Sequence, residues 1–101
     1  MADGLVGTKR NIQVLRGLSG NRSLLSCTPD GQVVDLWTTD DGSGRQEWNI
    51  SLVEGFDDIY NIKVSGGNST DRVFLSCNAS GGGVNLWKVD DGSGRQRWQL
   101  Q

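Results

Sequence analysis

The chain is written twice. Leu25-Ser26-Cys27 returns as Leu75-Ser76-Cys77, Leu36-Trp37 as Leu86-Trp87, and Trp48 as Trp98. The run Asp40 to Gln46 returns unbroken as Asp90 to Gln96, and Asn11-Ile12-Gln13-Val14 returns as Asn61-Ile62-Lys63-Val64. Every match falls at an offset of 50 with no gap, so the chain divides into units 1–50 and 51–101 without a linker. A repeat of this size cannot bury its apolar face alone and needs a neighbouring copy to complete a core. The expectation is one domain, 1–101, made of two such units.

Each unit reads as short strands. Ile59 to Val64 alternates apolar and polar residues, as Ile12 to Val14 does more briefly. Phe74 to Cys77 and Val84 to Trp87 are β-type runs separated by the turn cluster Asn78-Ala79-Ser80-Gly81-Gly82-Gly83. In the first unit Thr28-Pro29-Asp30-Gly31 takes that place, where Pro presets φ and Gly accepts positive φ. A last strand is expected through Trp48 and Trp98. No segment has convincing helical periodicity. Strands at roughly 10-residue spacing between Gly turns predict an all-β barrel or sandwich.

Composition removes several classes. A net charge of −2 without a clustered basic face argues against nucleic-acid binding. No apolar run is long enough to span a bilayer, so no membrane insertion is expected. The start, MADGLVGTKR, lacks the basic and apolar regions of a signal peptide. The expected location is cytoplasmic, or secreted without a recognisable signal peptide. There is no His. The two cysteines, Cys27 and Cys77, occupy equivalent positions and read as buried free thiols rather than disulfide partners. Neither a metal cluster nor a nucleophile with an attendant base is visible. Asp40-Asp41 and Asp57-Asp58 are adjacent acids, not the opposed pair that glycoside hydrolysis needs. A non-enzymatic protein without cofactors is expected, since duplicated sites suit multivalent binding.

Gln46-Glu47-Trp48 and Gln96-Arg97-Trp98 are Q-x-W motifs in identical register, each shortly after a Leu-Trp strand. Together with Val33 to Trp37, Gly83 to Trp87 and the Asp-Asp-Gly-Ser-Gly-Arg loops, they resemble the repeats of ricin-B-type β-trefoil lectins. The resemblance covers nearly the whole chain, twice. It implies tandem β-trefoil-type repeats and a multivalent carbohydrate-binding protein, a lectin or haemagglutinin, with about one sugar site per repeat. Two differences stand out. The family usually has three repeats per domain, and Ser26 and Ser76 stand where its sugar-binding repeats usually carry an Asp.

The resemblance places Trp37 and Trp87 in the sugar pocket, where an indole can stack on the C–H face of a pyranose. Core packing is the competing reading. Asp35 and Asn85, two residues earlier on the same side of the strand, suit sugar hydroxyls or are simply exposed polar residues. Asp40, Asp41 and Arg45, with Asp90, Asp91 and Arg95, form either a binding loop or a Gly-shaped turn with a local Asp–Arg pair. A calcium loop is disfavoured, because the D-x-D-x-D-G spacing is missing. Gln46 and Gln96 join the candidate ligand site, although the family uses them mainly as structure. Trp48, Trp98, Cys27 and Cys77 are assigned to the core.

Two repeats cannot close a threefold barrel, and unpaired strand edges are hazardous. A homo-oligomer, trimer or dimer, is therefore the favoured way to complete the barrel, with a two-unit monomeric barrel or sandwich as the alternative. The expected partners are glycans on glycoproteins, glycolipids or cell surfaces. The alternative is a protein-binding trefoil-like module such as a protease inhibitor. Such inhibitors usually present one exposed loop, whereas the loops here come in matched pairs. A structural β-protein without a ligand is the third reading.

Overall fold

The computed structural model describes residues 9–100, and every regular element among them is a β-strand. The strands are β1 (Lys9–Arg10), β2 (Leu24–Cys27), β3 (Val34–Trp37), β4 (Trp48–Leu52), β5 (Ile59–Val64), β6 (Phe74–Cys77), β7 (Val84–Trp87) and β8 (Trp98–Gln99). All pairings are antiparallel. The described part of the first unit starts at Lys9, and what precedes it lies outside these residues.

Each repeat contributes one tight hairpin. β2 pairs β3 with Ser26 opposite Asp35 and Leu24 opposite Trp37. β6 pairs β7 in the same register, with Ser76 opposite Asn85 and Phe74 opposite Trp87. The remaining strands run side by side in the order β1, β4, β5, β8, and β5 also pairs β6 (Lys63 opposite Phe74), which joins the second hairpin to this sheet while the first stays a separate pair. The β4–β5 pairing is the longest, from Trp48 opposite Val64 to Leu52 opposite Tyr60, and it joins the two repeats.

Alternation decides what goes inside. Tyr60, Ile62 and Val64 on β5 and Trp48 and Ile50 on β4 all point into one core with Cys27, Leu75 and Leu86. Trp48 and Leu86 are fully enclosed. The Cα radius of gyration, 13.2 Å, is that of a collapsed domain of this length.

The sequence differs from the structure in two places. Regular strand geometry at the start of the first repeat covers Lys9–Arg10, not Ile12 to Val14. Residues 11–14 still lie along β2, with Val14 N donating to Ser23 O and Leu25 N to Ile12 O. Their equivalents in β5 gain regularity from β4 on the other side. Cys27 is buried, but Cys77 is only half-buried, and both are free thiols.

Candidate functional site

The two hairpins have two chemically different faces. Leu25, Cys27 and Val34 pack toward the core. Leu24, Ser26, Asp35 and Trp37 fall on the opposite face by the alternation of the strands. The register therefore brings Ser26, Asp35 and Trp37 together, and it does the same for Ser76, Asn85 and Trp87.

A concavity of about 240 Å³ opens on that face in the first repeat. Its walls are Ser26, Cys27, Thr28, Pro29, Asp35, Trp37, Arg45 and Gln46. A second, of about 220 Å³, is lined by Ser76, Cys77, Asn78, Ala79, Asn85, Trp87, Arg95 and Gln96. Each lining residue of the first has its counterpart fifty positions on in the second. These volumes lie below the roughly 300–1,000 Å³ of clefts for drug-sized ligands. They have room for a single ring, with the rest of a larger molecule left in solvent.

The glutamines of the Q-x-W motifs line the pockets. Gln46 is 1% exposed, and both ends of its amide are used. Its Nε2 donates to Ser26 Oγ (2.9 Å), while its Oε1 accepts from Asp41 N (3.1 Å). Gln96 repeats this with Ser76 Oγ (2.9 Å) and Asp91 N (3.0 Å). The glutamine thus ties the loop to the hairpin. Trp48 Nε1 donates to Leu25 O (2.9 Å) and Trp98 Nε1 to Leu75 O (2.8 Å), so each indole locks the strand before its pocket.

The loop acids have separate tasks. Asp41 accepts from Ser43 N and lies 3.5 Å from Arg45, and Asp91 does the same with Ser93 and Arg95. The serine hydroxyl and backbone N–H hold both carboxyls below the ordinary range, and the arginines add to this. These pairs set the position of the pocket-lining arginines. Asp40 and Asp90 instead hold a segment near the start of their own repeat: Asn11 Nδ2 donates to Asp40 Oδ2 and Asn61 Nδ2 to Asp90 Oδ2, both at 3.0 Å. Burial would raise the Asp90 pKa, but hydrogen bonds from Asn61 and Arg97 outweigh it and hold the carboxyl low.

One feature of the pockets is unexplained by folding. Asp35 Oδ1 and Asn85 Oδ1 are buried from water yet accept no hydrogen bond among the described residues. An unsatisfied buried acceptor costs about 1–3 kcal/mol. The same orphan occurs at the same atom in both repeats, beside the same tryptophan.

Of the residues expected from sequence, Asp35, Trp37, Arg45 and Gln46 converge on the first pocket and Asn85, Trp87, Arg95 and Gln96 on the second. Asp40, Asp41, Asp90 and Asp91 stand behind them. Ser26 and Ser76, which stand where the resemblance expects an Asp, line the pockets, and Thr28 and Asn78, which the sequence did not mark as ligand contacts, join them. Arg22 and Arg72 also escaped the sequence. Their guanidiniums sit over Trp37 and Trp87, 4.8 and 5.0 Å from the ring centroids. Their equivalence at an offset of 50 was the available signal.

The pockets differ in charge. The first has an acid and an arginine on its walls, Asp35 and Arg45. The second has Asn85 and Arg95, so its only formally charged wall residue is the arginine. Among the described residues no group of three or more His, Cys, Asp or Glu side chains could hold a metal ion. No helix among them is long and apolar enough to cross a membrane. Comparison with models of known protein families, with curated proteins and with solved structures finds no match.

Proposed function

We propose that the protein is a non-catalytic, multivalent carbohydrate-binding protein with one sugar site per repeat. The observation that carries this reading is the paired orphan acceptor: a buried side-chain oxygen without a partner, next to a tryptophan and an arginine, in two equivalent pockets. A pyranose offers hydroxyls that donate to such an oxygen and a C–H face that stacks on an indole. In this reading Asp35 and Asn85 accept from ring hydroxyls, Arg45 and Arg95 donate, and Trp37 and Trp87 provide the platform. The glycans would be those of glycoproteins, glycolipids or cell surfaces.

The same proposal takes the repeats as two-thirds of a β-trefoil and the working form as a homo-oligomer. Single small pockets bind weakly, whereas several on one rigid body gain avidity without new contacts. A glycan array probed with the intact labelled protein tests the sugar reading. Binding to a related set of glycans is the expected result. A blank array from folded, assembled protein refutes it.

A further inference from the structure

Among the described residues the first repeat meets the second at several places, and backbone pairing, hydrogen bonds or close backbone approach define three of them. β4 pairs β5, and Ser65 N donates to Glu47 O at 2.7 Å. The 42–46 loop lies on residues 66–67, so close that a Cβ on Gly44 would stand 2.8 Å from Gly66 N. The first hairpin tip covers segment 69–72, where Ser69 N donates to Pro29 O (2.6 Å) and Thr70 Oγ1 to Asp30 O (2.9 Å).

Each half of this junction occurs once more in the chain without its mate. Residues 11–22 correspond to the receiving half, and β8, the 92–96 loop and the second hairpin tip to the inserting half. Burial records the difference. Trp48, Ile50 and Val64 are at most 5% exposed, whereas their equivalents Leu100 and Val14 are 41% and 40% exposed and Trp98 is half-buried. Gly31 and Gly44 are buried, whereas Gly81 and Gly94 are exposed. A cavity of about 610 Å³ lies along Leu18 to Arg22, the counterpart of the segment that Pro29 and Asp30 cover in the second repeat.

The loose halves retain what the junction requires. The loop Asp90 to Gln96 is identical to Asp40 to Gln46, and Gly94 has φ 98° against 99° at Gly44. A Cβ on Gly67 would stand 2.7 Å from Ser43 O, and its equivalent is again glycine, Gly17, with φ 88° against 82°. A Cβ on Gly66 would meet only Ser43 O at 3.8 Å, an ordinary contact, and there the other repeat has Arg16. One hydrogen bond is lost, because Gly20 replaces Thr70.

We infer that these two ends are complementary halves of one heterologous interface, and that a second copy of this chain occupies them. This rests on the repeat arrangement proposed above and not on its sugar sites. Three repeats complete a threefold cycle, so three copies, carrying six repeats, form two complete cycles. One copy divides its repeats between the cycles by opening the 53–58 connection, where Gly55 has φ 91° and Phe56 is 44% exposed.

The test is sedimentation velocity on the intact chain and on Val14→Asp, Leu100→Asp and a control, Val33→Asp, an exposed position outside both halves. The expected wild-type species has three times the mass of the chain. Val14→Asp and Leu100→Asp each reduce it to single chains with an unchanged strand circular dichroism, and Val33→Asp leaves it assembled. Leu15, 87% exposed in the single chain, gives a second variant that folding tolerates. Leu15→Lys should weaken assembly at least tenfold. Single-chain wild type at all concentrations, or assembly unaffected by the variants at both ends, overturns the inference. None of the substituted residues lines a sugar pocket, so each single-chain variant still binds a glycan while agglutination is lost, which separates this test from that of the sugar sites.

Discussion

Replacing Gln46 by Leu removes the link between the loop and the first hairpin while nearly preserving volume. Two hydrogen bonds disappear, to Ser26 Oγ and from Asp41 N. Ser26 is 2% exposed on the wall of the pocket, so its hydroxyl gains little from water in exchange, whereas the exposed Asp41 can be rehydrated. With about 1–3 kcal/mol for the stranded buried group and about 0.5–1.5 for the second bond, the expected loss is about 2–4 kcal/mol. That is a large fraction of the ~5–15 kcal/mol that holds a domain of this kind together. At a urea m-value of about 1.5 kcal/mol/M the midpoint falls by about 1–3 M. Urea unfolding followed by tryptophan fluorescence at fixed protein concentration reads this directly. Ser26→Ala in the Gln46→Leu background should cost at least about 1 kcal/mol less than in wild type, because the bond is already gone. In the single-chain Leu100→Asp background Gln96→Leu should cost less than Gln46→Leu, since there a Cβ on Gly94 meets nothing within 4 Å and the second loop is free to relax. A midpoint shift for Gln46→Leu below about 0.3 M, or additive costs with Ser26→Ala, would refute the structural role of the glutamine.

The pockets supply further expectations. Exchanging Asp35→Asn and Asn85→Asp in one chain should exchange the glycan preferences of the two sites, as read on an array with one pocket at a time disabled. Unchanged preferences would remove these residues from recognition. Cys27 is buried, and desolvation pushes its thiol up to about 11. Iodoacetamide at pH 8 should therefore modify half-buried Cys77 first, and a bound ligand should slow that modification; equal rates at the two thiols would contradict it. The carboxyls of Asp30, Asp41, Asp90 and Asp91 are all held low in the folded chain. Their contribution is complete above the unfolded carboxylate pKa of about 3.9 and is lost as pH falls through the folded values. The urea midpoint should thus change little on account of these groups between pH 5 and 7 and drop below about pH 4; a drop beginning near pH 6 would point to other groups.

Much of the architecture was legible because repetition and alternation are local signals. The β5 alternation, the turn at Pro29-Asp30-Gly31 and the burial of Trp48 follow from residue order alone. So does the convergence of Asp35 with Trp37, which needs only the period of a strand. Other features depend on which strand lies opposite. Ser26 reaches the pocket because it pairs Asp35, and Arg22 reaches the Trp37 ring from outside any regular strand. The separate tasks of Asp40 and Asp41 were hidden for a similar reason. Adjacent acids look alike in sequence, but one accepts from Asn11 and the other from its own loop. The contrast between Trp48 and Trp98 was also invisible, because it depends on pairing: Trp48 lies between Arg10 and Val64, whereas among the described residues Trp98 pairs Tyr60 alone.

The most direct measurement is calorimetric titration of a glycan selected on the array into wild type, Trp37→Ala, Trp87→Ala and the double variant, each checked for fold by circular dichroism. Wild type should bind two sugars per chain and each single variant one. The double variant should lose at least about 30-fold in affinity, the effect of removing a contact worth about 2 kcal/mol. A folded double variant that binds with wild-type affinity and stoichiometry would show that neither pocket is the sugar site.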